Sequence, residues 1–261
     1  MMAILTGPCE FSRRHLGELL SFAAEHCQLL PIRDAELPED GRPRTYLRHD
    51  IDHSMLDALD VAALEAEHGV RSTYFVQLHS TFYDVMSEQG HGQLRRLVEL
   101  GHEVGFHYDI TYYRRTGQSI EAAFRRDLAL LGDLVGQPVR SISRHDPSAA
   151  HLEPELLAKI RGAAPFDAYA SPFFEQGRYI SDSTGSFRSG CWCRHLGEGR
   201  KPPLQVLIHP IWWGEQAQQW QARLRSSAER EARQRVAAVD DIIDYYQRFL
   251  DMGRDFAGKN A

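Results

Sequence analysis

Short runs of β-branched, aromatic and aliphatic residues alternate along this chain with longer segments whose apolar residues recur at helical spacing. The short runs predict strands at residues 45–49, 72–78, 102–107, 139–143, 167–171, 179–181 and 204–208. The periodic segments predict helices at residues 11–30, 55–68, 94–100, 119–135 and 154–161. Strands that alternate with helices are typical of parallel βα units. About seven of them favour a barrel or distorted barrel over a short open sheet.

The predicted barrel core spans residues 45–213, and residues 215–256 are predicted to form a helical tail. The second part of the tail has an amphipathic face formed by Val236, Val239, Ile243, Tyr246 and Leu250. Residues 184–203 have no clear period and are predicted to be a loop. Because no repeat or linker interrupts the chain, residues 1–261 are predicted to form a single domain with helical extensions at both termini.

Polar side chains that can bind metals or move protons follow the ends of several predicted strands. They are Asp50, Asp52, His107, Arg144, His145, Asp182 and His209. The carboxyl ends of parallel barrel strands meet on one face, and that face holds the active site of such barrels. We therefore expect these side chains to share one site.

Asp50 and Asp52 lie two residues apart at a strand end, so both carboxylates face the same side. Two such carboxylates repel each other unless a cation or a proton intervenes. A metal ion satisfies this requirement if one carboxylate binds the ion and the other moves protons beside it. The alternative is that this strand end only caps the next helix, with Asp52 or Ser54 as the N-cap.

Composition narrows the class of protein. The 261 residues are 43% hydrophobic, enough for a sizeable core, and the net charge of -6 gives no general attraction to nucleic acid or to an anionic membrane. No apolar run is long enough to span a membrane, and residues 1–10 lack a secretory signal pattern, so we expect a cytoplasmic protein. Cys9, Cys27, Cys191 and Cys193 form no zinc-type pair of pairs and are expected to be free thiols.

The order of the motifs resembles the polysaccharide deacetylase superfamily, which comprises carbohydrate esterase family 4 and its relatives. The matching segments are Asp50-Ile51-Asp52, Gly101-His102-Glu103-Val104-Gly105-Phe106-His107, Ser143-Arg144-His145-Asp146-Pro147 and Leu207-Ile208-His209-Pro210. The resemblance extends from about residue 46 to residue 213. It implies a distorted (β/α)7 barrel and metal-dependent hydrolysis of an N-acetyl or similar acyl group, commonly on an amino sugar.

Carried over residue by residue, the resemblance makes Asp50 the catalytic base, Asp52 and His107 metal ligands, and His209 the general acid. The chain departs from the family at the position four residues after His107, where a second ligand histidine is expected and Thr111 stands. The Arg-Pro-Pro-type segment and the aspartate motif that begins at residue 182 also differ. The resemblance therefore implies a divergent subgroup.

Two residues are candidates for the missing ligand. Asp109 lies only two residues beyond His107 and would add negative charge beside Asp50 and Asp52. His145 lies at the end of the next strand and offers a neutral imidazole from another direction, so we expect His145 to be the third ligand. The alternative is that His145 only contacts substrate.

Supporting roles are predicted for residues near these groups. Asp182 is placed to orient His209, and Arg144 to tune the pKa of Asp50. The candidates for an aromatic wall around a sugar ring, or alternatively for core packing, are Tyr108, Tyr112, Tyr113, Trp212 and Trp213.

The sequence thus predicts a metal-dependent hydrolase that removes an N-acyl group from a soluble amino sugar or related small molecule. Zinc is the expected ion, with cobalt, nickel and manganese as alternatives. The competing interpretation is a non-hydrolytic protein of the same fold, either an isomerase or epimerase or a sugar-binding protein. The expected partner is a small-molecule or carbohydrate substrate, and no binding to nucleic acid or membrane is expected. A homo-oligomer is possible on this sequence.

Overall fold

The computed structural model describes residues 9–146, 152–196 and 203–258, with side chains described as far as residue 252. The strands are β1 (Gln28–Leu30), β2 (Arg44–Ile51), β3 (Thr73–Val76), β4 (Glu103–Tyr108), β5 (Ser141–Arg144), β6 (Phe166–Asp167), β7 (Arg178–Ser181) and β8 (Leu204–Ile208). The α-helices are α1 (Arg13–His26), α2 (Met55–Glu67), α3 (Glu88–Glu99), α4 (Ile110–Arg115), α5 (Ile120–Val135), α6 (Pro154–Arg161) and α7 (Trp220–Gly258).

Seven of these strands form one curved sheet in the order β6-β5-β4-β3-β2-β8-β7, and every pairing is parallel. The short β1 pairs with the beginning of β2. Helices follow most of the strands, so the chain folds as the distorted (β/α)7 barrel that the sequence predicted. Because β2 is an interior strand between β3 and β8, its carboxyl end lies among those of its neighbours, and the candidate site residues come together there.

The first predicted helix is shorter than the sequence indicated. Helix α1 ends at His26, and Cys27 has an extended backbone with φ of -125° and ψ of 150°. Gln28 and Leu30 then pair with Arg44 and Tyr46 of β2. The apolar residues at the end of the predicted helix are buried because they belong to a strand, and three residues are too few for a period to be recognised.

Apolar side chains fill both sides of the sheet. One cluster packs β3, β4 and β5 against α2, α3 and α5 around Phe106 and Phe124. The other packs α1 against β8 and the turn after it, around Leu20, Val206 and Trp213. The sheet is therefore covered on both faces, as parallel sheets generally are.

Helix α7 has 39 residues and contacts the barrel only through its first part. Arg223 and Ser227 donate hydrogen bonds to Asp57 of α2, and Arg230 forms ion pairs with Asp57 and Asp60. The predicted apolar face of the second part is 52–60% exposed, at Val236, Val239, Ile243, Tyr246 and Leu250. In the described part of the chain, no helix is both long and apolar enough to cross a membrane.

Candidate active site

The two aspartates that follow β2 have different surroundings. Asp50 is the penultimate residue of β2, and Asp52 is the first residue beyond the strand. The side chain of Ser54, and not that of Asp52, accepts a hydrogen bond from the backbone of Asp57 and caps α2. The carboxylate of Asp52 instead accepts a hydrogen bond of 2.9 Å from Nε2 of Gln77. Helix capping thus explains Ser54 and leaves Asp52 facing the cavity.

Two histidines present a ring nitrogen to Oδ1 of Asp52. The Nδ1 atom of His107 lies 3.1 Å from the carbonyl oxygen of Ser143, which can only accept, so Nδ1 carries the proton and Nε2 offers a lone pair. That Nε2 is 3.2 Å from Oδ1 of Asp52. The Nε2 atom of His145 is 3.7 Å from the same oxygen, and its Nδ1 is 3.7 Å from Oδ2 of Asp109. The carboxylate of Asp109 thus lies behind the imidazole of His145 as an ion-pair contact, too distant for a hydrogen bond.

One ligand atom from each of Asp52, His107 and His145 lies within 4.8 Å of the others. Two imidazoles and one carboxylate are a donor set that suits zinc and related divalent ions, with a position left for water. Thr111 lies exposed on α4 and is not in this group, and Asp109 caps the start of α4. The structure therefore brings His145, of the two candidates from the sequence, to the two predicted ligands.

The side chain of Arg48 lies behind Asp50 and is completely buried. Its Nη2 donates to Oδ2 of Asp50 at 2.7 Å, to the hydroxyl of Ser143 at 2.9 Å and to the hydroxyl of Tyr169 at 3.2 Å. Burial raises the pKa of Asp50, but the charges of Arg48 and of the nearby histidines outweigh burial and hold that pKa below its usual range. The other carboxylate oxygen, Oδ1, has no hydrogen-bond partner among the described residues. Asp50 is thus an ionised carboxylate that Arg48 fixes through Oδ2, with a buried Oδ1 that no described residue contacts by a hydrogen bond.

Arg48 makes the direct contact with Asp50 and Arg144 lines the cavity, so the role of Arg144 in tuning Asp50 stays a prediction. The sequence contained the signal. Arg48, Asp50 and Asp52 alternate along one extended segment, so all three face the same side of the sheet.

His209 is held by Asp182. Oδ1 of Asp182 accepts from Nδ1 of His209 at 2.7 Å and from its backbone N–H at 2.9 Å. Oδ2 of Asp182 accepts from Nε1 of Trp213 at 2.9 Å. Burial lowers the pKa of His209, but Asp182 outweighs burial and raises that pKa to about 9. The Nε2 atom of His209 faces Asp52, 3.6 Å from Oδ2.

A cavity of about 960 Å³ opens above these groups. Its aromatic lining comes from Tyr169, Phe174, Tyr179, Trp212 and Trp220. Such a volume is at the upper end of the range for small-molecule pockets.

Most of the predicted aromatic wall lies elsewhere. Tyr108 is 1% exposed and packs edge-on against Phe124 in the core, and Trp213 is 1% exposed and bonds to Asp182. Tyr113 is buried against Asp127. Of the five aromatic residues proposed from the sequence for this wall, Trp212 alone appears among the described residues that line the cavity. Tyr108 is the last residue of β4 and alternates with His107, so it faces the other side of the sheet, while Trp213 lies beyond β8 and is directed inward by the turn that follows the strand.

Comparisons with known proteins gave matches among solved structures. No protein-family model matches the chain, and no curated protein matches it. A family 4 carbohydrate esterase from Streptomyces lividans, in complex with acetate, is 15% identical over 73% of this chain and 86% of its own, with a TM-score of 0.41. A Streptococcus pyogenes deacetylase, also in complex with acetate, is 12% identical over 79% of this chain and 86% of its own, with a TM-score of 0.44.

A third solved structure is described as a CE4 family pseudoenzyme from Bacillus anthracis. It is 13% identical over 75% of this chain and 63% of its own, with a TM-score of 0.41. The matches thus include members of the family that the motifs indicated. Their identities and TM-scores are too low to say anything about the activity of this chain.

Proposed function

We propose that this chain is a metal-dependent hydrolase that removes an N-acyl group, typically acetyl, from a soluble amino sugar or related small molecule. The observation that supports it is the content of one cavity. A carboxylate held ionised by Arg48 (Asp50), a histidine whose pKa is raised to about 9 (His209) and three candidate metal ligands all line the same cavity. Hydrolysis of an amide requires a base, an acid and an electrophile in that arrangement.

The donor set of Asp52, His107 and His145 fits a divalent ion, and zinc is the ion that we propose. When bound, that ion would polarise the acyl carbonyl and make water more acidic. Asp50, which lines the cavity, would remove a proton from the attacking water, while Arg48 keeps the carboxylate ionised and fixed through Oδ2. Proton transfer by a positioned base accelerates a reaction by roughly 10²–10⁴-fold.

His209 would donate its Nε2 proton to the departing amine. An amine is a poor leaving group unless it is protonated, so a donor must be present when the bond breaks. Asp182 accepts from Nδ1 and thereby leaves the second proton of the imidazolium on Nε2, on the cavity side. The aromatic rings of Tyr169, Phe174 and Trp212 offer apolar faces on which the C–H face of a sugar ring can lie.

Release of acetate from N-acetylglucosamine, its nucleotide sugar and short chitin oligomers tests the proposal. We expect Asp50→Asn to lower the rate by at least about two orders of magnitude while the bound metal is retained. Asp133→Asn, an equivalent change on the exposed side of α5, should leave the rate unchanged. Chelation should abolish the activity and lower Tm, because a ligand that binds only the folded state stabilises it.

The non-hydrolytic alternative gives a different result in the same samples. Incorporation of solvent deuterium into the sugar without release of acetate would indicate an isomerase. An unchanged rate in both the Asp50→Asn protein and the chelated protein would reject the proposed function.

A further inference from the structure

Three of the four cysteines come together with a histidine on the side of the barrel where α1 packs. Cys9 precedes α1, His15 lies in its first turn, and Cys191 and Cys193 flank Trp192 in the loop after β7. The Sγ atoms of Cys9 and Cys193 are 3.2 Å apart, and Nε2 of His15 is 3.4 Å from Sγ of Cys191. One ligand atom from each of the four residues lies within 4.8 Å of all the others.

We propose that Cys9, His15, Cys191 and Cys193 form a structural zinc site, separate from the candidate active site. Thiolate and imidazole are the ligands that zinc takes in structural sites, and three cysteines with one histidine make a closed, four-coordinate set. In a tetrahedral site with Zn–S bonds of about 2.3 Å, neighbouring sulfurs lie about 3.8 Å apart. The observed 3.2 Å between Sγ of Cys9 and Sγ of Cys193 is shorter than that value by about 0.6 Å, a difference that small side-chain rotations can remove.

The orientation of His15 supports this assignment independently. His15 is fully buried, and its Nδ1 faces Oε2 of Glu18 at 3.4 Å, one turn further along α1. A carboxylate at Nδ1 places the proton there and leaves the lone pair of Nε2 directed at the sulfurs. Carboxylate, histidine and metal in this order are the usual arrangement around bound zinc.

A disulfide between Cys9 and Cys193 is the competing explanation for their proximity. A disulfide would explain the positions of two sulfurs. It would not explain why the buried His15 directs Nε2 at Cys191. The four-ligand site accounts for all four residues and for Glu18. Cys27, the remaining cysteine, is buried at the end of α1 and belongs to neither explanation.

The proposed site would join two segments that are 184 residues apart in sequence. Between β7 and β8, the described residues contain only two short 3-10 turns, Ser183–Gly185 and Trp192–Arg194. A segment with so little regular structure has few backbone hydrogen bonds of its own. Zinc would fix it to the beginning of α1, with Trp192 buried as a second anchor.

Metal content and cobalt absorption of the full-length protein test the proposal. We expect the paired substitution Cys9→Ser/Cys193→Ser to lower the zinc content by one ion per chain, and Cys27→Ala to leave it unchanged. The Co²⁺-substituted wild-type protein should show thiolate-to-metal charge-transfer absorption. Asp52→Asn should retain this absorption, which assigns it to the cysteine cluster whatever becomes of the proposed function.

Two further measurements apply if the paired variant does not fold. Titration of the wild-type protein with a mercurial reagent should release one zinc ion as the clustered thiols react. Glu18→Gln changes only a partly exposed side chain and should lower zinc affinity by about 10–100-fold. Wild-type protein without sulfur-ligated metal after growth in zinc, or a Cys9–Cys193 disulfide in the unreduced protein, would overturn the proposal.

Discussion

Replacement of Arg48 by methionine tests whether the buried ion pair with Asp50 organises the candidate active site. Methionine replaces the aliphatic stem of arginine and carries no charge, so the change removes the guanidinium and keeps the packing of the stem. Asp50 is 4% exposed and would keep its charge in a site with no cation bound to it directly. The structure therefore predicts a loss of stability well above that of an ordinary surface substitution.

The expected magnitude follows from the contacts of Arg48. Breaking one half of a buried ion pair costs about 3–5 kcal/mol, because the remaining charge is not compensated. The neutral acceptors Ser143, Tyr169 and Gln205 also lose a donor. In the double variant Arg48→Met/Asp50→Asn the orphaned charge is gone, and the total loss should fall to about 1–3 kcal/mol, which is mostly the neutral hydrogen bonds.

Urea unfolding of the chelated protein measures these free energies. Chelation matters because an ion at Asp52 and His107 would offset the charge of Asp50 and would add binding energy to the folded state. The coupling between positions 48 and 50 should be at least about 2 kcal/mol. Arg125→Met is the control, since the ion pair of Arg125 with Glu121 is exposed and should contribute less than about 1 kcal/mol. A loss of less than about 1 kcal/mol for Arg48→Met would refute the reasoning. Additive effects of the substitutions at positions 48 and 50 in the double variant would also refute it.

Three further outcomes are expected. Asp182→Asn should lower kcat for N-acetylated sugars because the acid histidine loses its orientation. The fold-decrease in kcat should exceed the fold-change in KM by at least about tenfold. Metal analysis should show that His145→Ala loses the active-site ion, whereas Asp109→Ala retains it with about 10–100-fold lower affinity. Burial raises the pKa of Glu65, but His49 and hydrogen bonds to the carboxylate outweigh burial and hold it below 4.5. Glu65 therefore stabilises the fold above that pH. As pH falls below 4.5, the free energy of unfolding measured in urea should decrease less for Glu65→Gln than for the wild-type protein.

The architecture could be predicted because it depends on local patterns. Alternation of apolar runs with amphipathic segments indicated parallel βα units, and strands such as β7 and β8 lie where the runs predicted them. The meeting of Asp52, His107 and His145 followed from one rule, that carboxyl ends of parallel strands share a face. No side-chain detail was needed for either inference.

The failures concern direction after a strand ends. Tyr108 alternates with His107 along β4 and faces the core, which the strand period already indicated, whereas Trp213 lies beyond β8 and also points into the core. Whether a side chain beyond a strand faces the cavity depends on the turn that follows, and these turns have no periodic sequence signal. The cysteine cluster was missed for a different reason. Cys9 and Cys191 are brought together only by the packing of α1 against the barrel, which local spacing does not record.

Trp213 gains a role through its actual position. Its indole N–H donates to Asp182, which holds His209, and its ring stacks on His15 with centroids 6.3 Å apart and planes at 21°. The proposed zinc ligand and the proposed acid are therefore separated by only two intervening side chains. A side chain that bonds to the acid's partner and packs on a zinc ligand restricts both. The buried tryptophan that the sequence suggested for substrate binding thus connects the proposed structural zinc site to the proposed acid of the active site.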